Sequence, residues 1–184
     1  MSKAEVIQTI RDVGVIPVVR AQSAAEAMLA IDAIREGGIS ILEITMTVPG
    51  AVGVIEEVSA RYGSEALVGA GTVLDGETAR ACIRAGARFI VSPALNFETI
   101  QVCRAEGIAV MPGALTPTEV VQAWTAGADF VKVFPAGALG GASYLKALKA
   151  PLPQIELIPT GGVSLKTAAD FIKPARARWV SVRI

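Results

Sequence analysis

The sequence predicts a single α/β domain over residues 1–184, built as a (β/α)8 TIM barrel with an N-terminal helix that plugs its bottom. Short apolar runs alternate with longer amphipathic stretches along the chain, which is typical of parallel strands covered by helices. Seven runs are clear strands, and a weaker eighth at 179–184 would complete the number that closes a barrel. No Gly-x-Gly-x-x-Gly follows the first strand, which disfavours an open doubly wound sheet.

Each element has a local sequence signal. The strands are predicted at 15–19, 39–45, 66–70, 89–92, 109–111, 129–133 and 157–160. The helices are predicted at 3–12, which would form the plug, and at 23–36, 50–62, 76–85, 97–105, 117–125 and 165–173. Glycine follows several of the helices, and it accepts the left-handed conformation of a helix C-cap. Thr116 and Glu119 form a capping box at one helix start.

Composition excludes several classes of function. The chain has 17 basic and 17 acidic residues, so neither a nucleic acid nor a membrane surface is expected as a partner. The longest apolar runs are strand-sized, so no membrane span is predicted. The absence of histidine excludes Ser-His and Cys-His nucleophile pairs and His-based metal sites. Cys82 and Cys103 are predicted to be reduced, buried thiols of a cytoplasmic protein.

A lysine interrupts an otherwise apolar strand. Lys132 lies between Val131 and Val133, in a run bounded by glycine and proline. Burial disfavours the charged ammonium and lowers its pKa, and a neutral amine can form a Schiff base with a carbonyl substrate. The alternative is a structural lysine that reaches solvent or pairs with a carboxylate.

Glu43 is the second charged residue in a predicted apolar strand. It shares one strand face with Thr45 and Thr47, because side chains alternate along a strand. In a barrel this face would point inward, where a carboxyl near an amine can act as general acid and base. The alternative is an ion pair that only neutralises Lys132.

Further candidates lie at strand ends, where barrel enzymes carry their chemistry. Thr160, Gly161 and Gly162 follow the seventh strand and precede a helix predicted to start near Ser164. Backbone N–H groups freed by glycine bind anions, and barrel phosphate sites lie at loops seven and eight. Arg20 lies at the end of the first strand. Its guanidinium could bind a substrate carboxylate in bidentate fashion, or it could be a solvated loop charge.

These residues fall within a set of ordered motifs between residues 13 and 173. The motifs are LEITMTVPGA at 42–51, GAGTV at 69–73, FIVSP at 89–93, MPGALTPTE at 111–119, VKVFPA at 131–136 and PTGGV at 159–163. In this order and at these spacings they resemble the 2-keto-3-deoxy-6-phosphogluconate (KDPG)/4-hydroxy-2-oxoglutarate (KHG) aldolase family. The resemblance covers nearly the whole chain.

The resemblance implies a class I aldolase on a (β/α)8 barrel, usually a homotrimer, with no metal and no cofactor. It implies that Lys132 is the Schiff-base lysine and that Glu43 is the proton shuttle. The implied substrate is a phosphorylated keto acid, KDPG, which is cleaved reversibly to pyruvate and glyceraldehyde 3-phosphate. The alternatives are KHG, the galactonate epimer of KDPG, and an inactive assembly protein that retains the family core.

The resemblance also implies binding roles at other positions. Thr72 resembles the family's carboxylate-contacting threonine. Pro93 and Phe134 resemble its pocket walls, although Phe134 alone would more often be a core residue. The amides of Gly161 and Gly162 resemble its phosphate ligands.

Two features depart from the family pattern. Some members have arginine where this chain has Thr47, and Arg20 is expected to take over that anion contact. The tail at 173–184 lacks the expected Gly-Val-Gly-Ser strand end and final helix. Codons for Ala-Gly-Ala-Arg-Ala-Leu-Gly-Val-Gly, read one base later, encode residues 174–182. We therefore hypothesise a frameshift near codon 174, which leaves the domain C-terminally incomplete and its last βα unit truncated.

Overall fold

The computed structural model describes residues 1–164, 166–172 and 180–183. The strands are β1 (Val15–Val19), β2 (Ile41–Thr45), β3 (Leu67–Gly71), β4 (Phe89–Val91), β5 (Ala109–Met111), β6 (Gly113–Ala114), β7 (Val131–Val133), β8 (Leu157–Pro159) and β9 (Val180–Arg183). The helices are α1 (Lys3–Val13), α2 (Ala24–Glu36), α3 (Ala51–Tyr62), α4 (Gly76–Arg84), α5 (Phe97–Ala105), α6 (Pro117–Thr125), α7 (Ala142–Lys149) and α8 (Ala168–Ile172). Two 3₁₀ turns occupy Gly63–Glu65 and Gly137–Leu139.

All of the strand pairs are parallel, and the strands follow one another in the order of a (β/α)8 barrel. One sheet has the order β5-β4-β3-β2-β1-β9, and a second has the order β6-β7-β8. β5 and β6 are the two halves of the fifth barrel strand, interrupted at Pro112, whose nitrogen carries no hydrogen for a ladder bond.

The weak strand predicted at the end of the chain is present. β9 pairs with β1 in the register Val15↔Val180 and lies next to β8, in the place of the eighth barrel strand. Among the described residues, no backbone ladder joins β8 to β9. The frameshift hypothesis and the predicted truncation of the last βα unit both concern the tail of the chain. Most of that tail, residues 173–179 and Ile184, lies outside the described residues.

Two helices differ from the prediction. The prediction omitted α7, because Gly140 and Gly141 before it and Pro151 after it are typical of a loop. α8 begins at Ala168, later than predicted, because Thr167 Oγ1 accepts the Ser164 N–H over 2.9 Å and closes a separate turn.

The plug helix is confirmed. α1 begins with a capping box between Ser2 and Glu5 and ends at Gly14 in the left-handed conformation. Its buried face, Val6 and Ile10, belongs to one apolar cluster with residues in or next to the strands. Those residues are Ile16, Ile41, Leu67, Phe89, Val91, Ala109, Met111, Phe130 and Ile158.

Two ion pairs attach the plug helix to the barrel. Lys3 Nζ lies 2.9 Å from Asp129 Oδ2, and Arg11 pairs with Glu156. Both acidic residues lie just before strands, β7 and β8, so the pairs fix the lower rim. No helix in the described ranges has the length and apolar character needed to cross a bilayer.

We expect Ile10→Ala to lower the free energy of unfolding by about 2–5 kcal/mol, because it leaves a cavity between the plug and the strands. Urea denaturation measures the change. Leu29→Ala is the matched control, because Leu29 lies on α2 with 72% of its surface exposed. A loss at Ile10 no greater than that at Leu29 would contradict the placement of α1.

Candidate active site

The two predicted charged strand residues lie inside the barrel. Ile41 in β2 and Phe130, just before β7, pack in one cluster with the plug, so Glu43 and Lys132, two residues further along the extended chain, also face inward. Lys132 is 4% exposed and Glu43 is 1% exposed. The structure therefore buries an amine on β7 and a carboxyl on β2 in one interior.

Two glycines of β3, the strand next to β2, make room for this interior. A Cβ on Gly71 would lie 2.1 Å from Glu43 Oε1, and one on Gly69 would lie 2.2 Å from the Phe89 ring. Neither Gly69 nor Gly71 was predicted to have a role at the site. The available signal was glycine inside an apolar strand, which often marks a close approach.

The Lys132 amine has a lower pKa than an ordinary exposed lysine. Burial lowers the pKa of Lys132, the Glu43 carboxylate opposes that shift, and the Arg20 guanidinium adds to it. In the described part of the chain, no carboxylate oxygen lies within 4.0 Å of Lys132 Nζ. Lys132 Nζ lies over the Phe134 ring, 5.3 Å from its centroid. The amine is thus neither exposed nor neutralised by a direct ion pair.

Glu43 is equally unusual. Burial raises its pKa, whereas the charges of Lys132 and Arg20 lower it. Its Oε1 is buried without a hydrogen-bond partner among the described residues. A buried polar atom without a partner is destabilising, so it indicates a group kept for chemistry rather than for stability.

A cavity of about 370 Å³ opens at the carboxyl ends of the strands. Its lining includes five of the predicted site residues: Arg20, Phe134, Thr160, Gly161 and Gly162. Val18 and Val163, which the sequence analysis did not single out, complete the lining. The predicted anion loop and Arg20 therefore do meet in one cleft.

The glycine loop presents free backbone donors to this cleft. Gly161 and Gly162 have φ values of 82° and 80°, and across the described residues their N–H groups donate to no protein acceptor. Thr160 Oγ1 is also buried without a partner in that part of the chain. The predicted help from a helix starting near Ser164 is wrong, because α8 begins only at Ala168.

The remaining predicted residues lie at the same end of the barrel but outside the cavity lining. Thr72 is half-buried with φ of 61°, an outlier for a β-branched residue of the kind that clusters at functional sites. Pro93 is half-buried. Its backbone packs closely on Gly113, because a Cβ added to Gly113 would lie only 2.2 Å from the carbonyl carbon and oxygen of Pro93. Thr47 is exposed, and its hydroxyl oxygen lies 2.7 Å from the hydroxyl oxygen of Thr45.

The fold and these groups define a barrel protein with a lysine–carboxyl pair inside and an anion-binding loop at its mouth. The sequence matches the family described as KDPG and KHG aldolase over residues 6–180. The chain therefore belongs to the KDPG/KHG aldolase family, which confirms the resemblance.

Individual relatives agree with the family match. The 2-dehydro-3-deoxy-phosphogluconate aldolase of Treponema pallidum is 34% identical over 93% of this chain and 81% of its own length. The 2-dehydro-3-deoxy-6-phosphogalactonate aldolase of Escherichia coli is 37% identical over 85% of this chain and 77% of its own length. A crystal structure of Legionella pneumophila KDPG aldolase, with pyruvate captured at low pH as a covalent carbinolamine intermediate, superposes with a TM-score of 0.88. It is 29% identical, over 96% of this chain and 85% of that one.

We expect Gly71→Ala to destabilise the fold by about 1–3 kcal/mol, because its Cβ would overlap the Glu43 carboxyl. Gly71 lies in a strand without a positive φ, so its backbone itself accepts alanine. When Glu43 is replaced by alanine, Gly71→Ala should lower the free energy of unfolding by less. Urea denaturation of the parent, Gly71→Ala, Glu43→Ala and the double variant measures this coupling. Gly53→Ala, in α3 with open space around it, is the control. An equal cost in both backgrounds would contradict the contact.

We expect Lys132→Met to stabilise the protein, and we expect this gain to be largest below the lowered pKa of Lys132 and to shrink as pH rises from there to 10.5, the ordinary pKa of lysine. The unfolded amine holds its proton more tightly than the folded amine. Between the lowered pKa of folded Lys132 and pH 10.5, the free energy of unfolding of the lysine-containing protein therefore rises with pH. The rise is up to about 1.4 kcal/mol per pH unit.

Urea denaturation of this variant and its parent, both carrying Glu43→Gln, isolates the amine from Glu43. Lys146→Met, which removes an exposed lysine, is the matched control. A Lys132→Met advantage that does not change with pH would contradict the lowered pKa.

Proposed function

We propose that this chain is a class I aldolase that cleaves KDPG to pyruvate and glyceraldehyde 3-phosphate. The observation that carries the proposal is a buried amine, Lys132, that shares the barrel interior with the buried Glu43 carboxyl and forms no direct ion pair with any residue that the structure describes. Membership of the KDPG/KHG aldolase family supports the assignment of this pair.

The first step forms the Schiff base. The lowered pKa of Lys132 leaves Nζ neutral in a larger fraction of molecules, and its lone pair attacks the C2 carbonyl carbon of the substrate. Glu43 in its protonated form, favoured by burial, gives a proton to the departing hydroxyl of the carbinolamine. Water leaves, and an iminium joins Nζ to C2.

The second step breaks the carbon–carbon bond. The Glu43 carboxylate, directly or through water, accepts the proton of the C4 hydroxyl. The C3–C4 electron pair moves into the iminium, which becomes an enamine, and C4 leaves as the aldehyde carbon. Glu43 returns the proton to C3, and hydrolysis of the resulting iminium releases pyruvate and the free Lys132 amine.

The phosphate and the carboxylate at the two ends of the substrate have suitable hydrogen-bond donors at the mouth of the barrel. The free N–H groups of Gly161 and Gly162, with the Thr160 hydroxyl, suit the phosphate as hydrogen-bond donors. Arg20 and Thr72 are assigned to the carboxylate, and Pro93 and Phe134 to the pocket walls. The Arg20 guanidinium is a bidentate donor well matched to a carboxylate.

Four broader properties are part of the same proposal. The chain acts as one domain, as a homotrimer in the cytoplasm, and uses neither metal nor cofactor. The free thiols of Cys82 and Cys103 are buried, and burial raises their pKa values to about 11 and about 12, so both are unreactive. Unpaired thiols favour a reducing compartment.

The galactonate epimer and KHG are the second candidate substrates. The 37% identity to the E. coli phosphogalactonate aldolase favours the epimer in particular. Turnover of KDPG, the epimer and KHG, compared as kcat/KM, distinguishes the three. Pyruvate adduct formation without turnover of any of them would indicate an impaired enzyme, and a folded oligomer with neither would indicate an assembly protein.

We expect sodium borohydride with pyruvate to attach a reduced pyruvyl group to Lys132, because the reductant traps the iminium. Mass spectrometry of the intact chain and of its peptides gives the mass and the position of the adduct. Lys132→Met is the negative control, and Lys146→Met controls for modification of exposed lysines. An adduct that persists in Lys132→Met, or none in the parent, would refute the proposal.

A further inference from the structure

Thr45 and Thr47 form a hydrogen-bonded pair whose direction the structure fixes. Thr45 is fully buried, and its Oγ1 lies 3.1 Å from the Val19 carbonyl oxygen. A carbonyl only accepts, so the single Thr45 hydroxyl hydrogen is donated to Val19. Thr47 Oγ1 lies 2.7 Å from Thr45 Oγ1, and Thr47 must therefore be the donor in that contact.

The hydrogen bonds leave Thr47 with acceptor capacity only. Its one hydroxyl hydrogen points to Thr45, so its oxygen offers only acceptor lone pairs, at an exposed position just beyond the end of β2. Because Thr45 is tied to Val19, next to Arg20, Thr47 belongs to the same mouth of the barrel. An acceptor here cannot bind a carboxylate or a phosphate, which are acceptors themselves, so anion binding at this mouth falls to other groups.

Only one group of the proposed substrate matches such an acceptor. The carboxylate and the phosphate need donors, and the C2 carbonyl reacts with Lys132. The C4 hydroxyl gives its proton to Glu43 during cleavage. The C5 hydroxyl takes no part in the reaction and is free to donate.

We propose that Thr47 is a specificity-determining residue that accepts a hydrogen bond from the C5 hydroxyl, with Thr45 as the positioning residue that keeps it an acceptor. In the condensation direction, the same hydroxyl lies next to the carbonyl of the incoming aldehyde. This inference rests on the proposed aldolase function and adds a preference for a hydroxylated aldehyde fragment.

The test compares two aldehydes of equal length in condensation with pyruvate: D-glyceraldehyde 3-phosphate and 3-oxopropyl phosphate, which lacks the hydroxyl. The measured quantity is the ratio of their kcat/KM values. Thr47→Val should lower this ratio about three- to tenfold, the effect of one neutral hydrogen bond. Thr45→Val should lower it as well, because Thr47 can then turn its hydrogen outward.

Thr47→Ser should keep the parent ratio, because it retains the hydroxyl, and Thr118→Val, on an exposed face of α6, is the matched control. An unchanged ratio in Thr47→Val, or an equal loss in Thr47→Ser and Thr47→Val, would overturn the inference. Borohydride trapping on each variant separates the two proposals. A normal Lys132 adduct with an unchanged ratio refutes the role of Thr47 alone, whereas absence of the adduct in the parent refutes the aldolase proposal.

Discussion

The site depends on burying an amine and a carboxyl in one apolar interior without letting them neutralise each other directly. Lys132 and Glu43 interact through their charges, yet they form no ion pair within 4.0 Å among the described residues. A closed pair would stabilise both charged forms and remove the free amine that Schiff-base chemistry requires. The separation is possible because the two residues lie on β2 and β7, strands that are not neighbours in the barrel.

The two ends of the barrel divide stability and chemistry between them. The lower end is closed by the apolar face of α1 and fixed by ion pairs to the residues before β7 and β8. The upper end has the features that are costly to a fold: a positive φ at Thr72 and, as far as the described residues go, unpartnered polar atoms of Glu43 and Thr160 and glycine amides with no protein acceptor. Such costs are tolerated where the rest of the structure is well packed.

Much of this arrangement could be predicted from the sequence. Apolar runs predicted the strands to within two residues, because burial on both faces leaves a compositional signal that does not depend on tertiary contacts. The exception is Gly113–Ala114, the second half of the fifth strand, which was not predicted because Pro112 and Gly113 are typical of a turn. Lys132 and Glu43 were identified because a charge in such a run is an anomaly. The room that Gly71 leaves for Glu43 could not be predicted, because it depends on the register between β2 and β3. The hydrogen-bond direction at Thr47 depends likewise on the distance between Thr45 and Val19, which only the folded chain defines.

The most direct test of the central claim is an NMR titration of the Lys132 side-chain amine, assigned by the loss of its signal in Lys132→Met. We expect a pKa below 10.5, which moves lower in Glu43→Gln and higher in Arg20→Gln, because the carboxylate raises it and the guanidinium lowers it. A pKa at or above 10.5 that does not respond to either substitution would show that Lys132 is an ordinary lysine, uncoupled from Glu43 and Arg20.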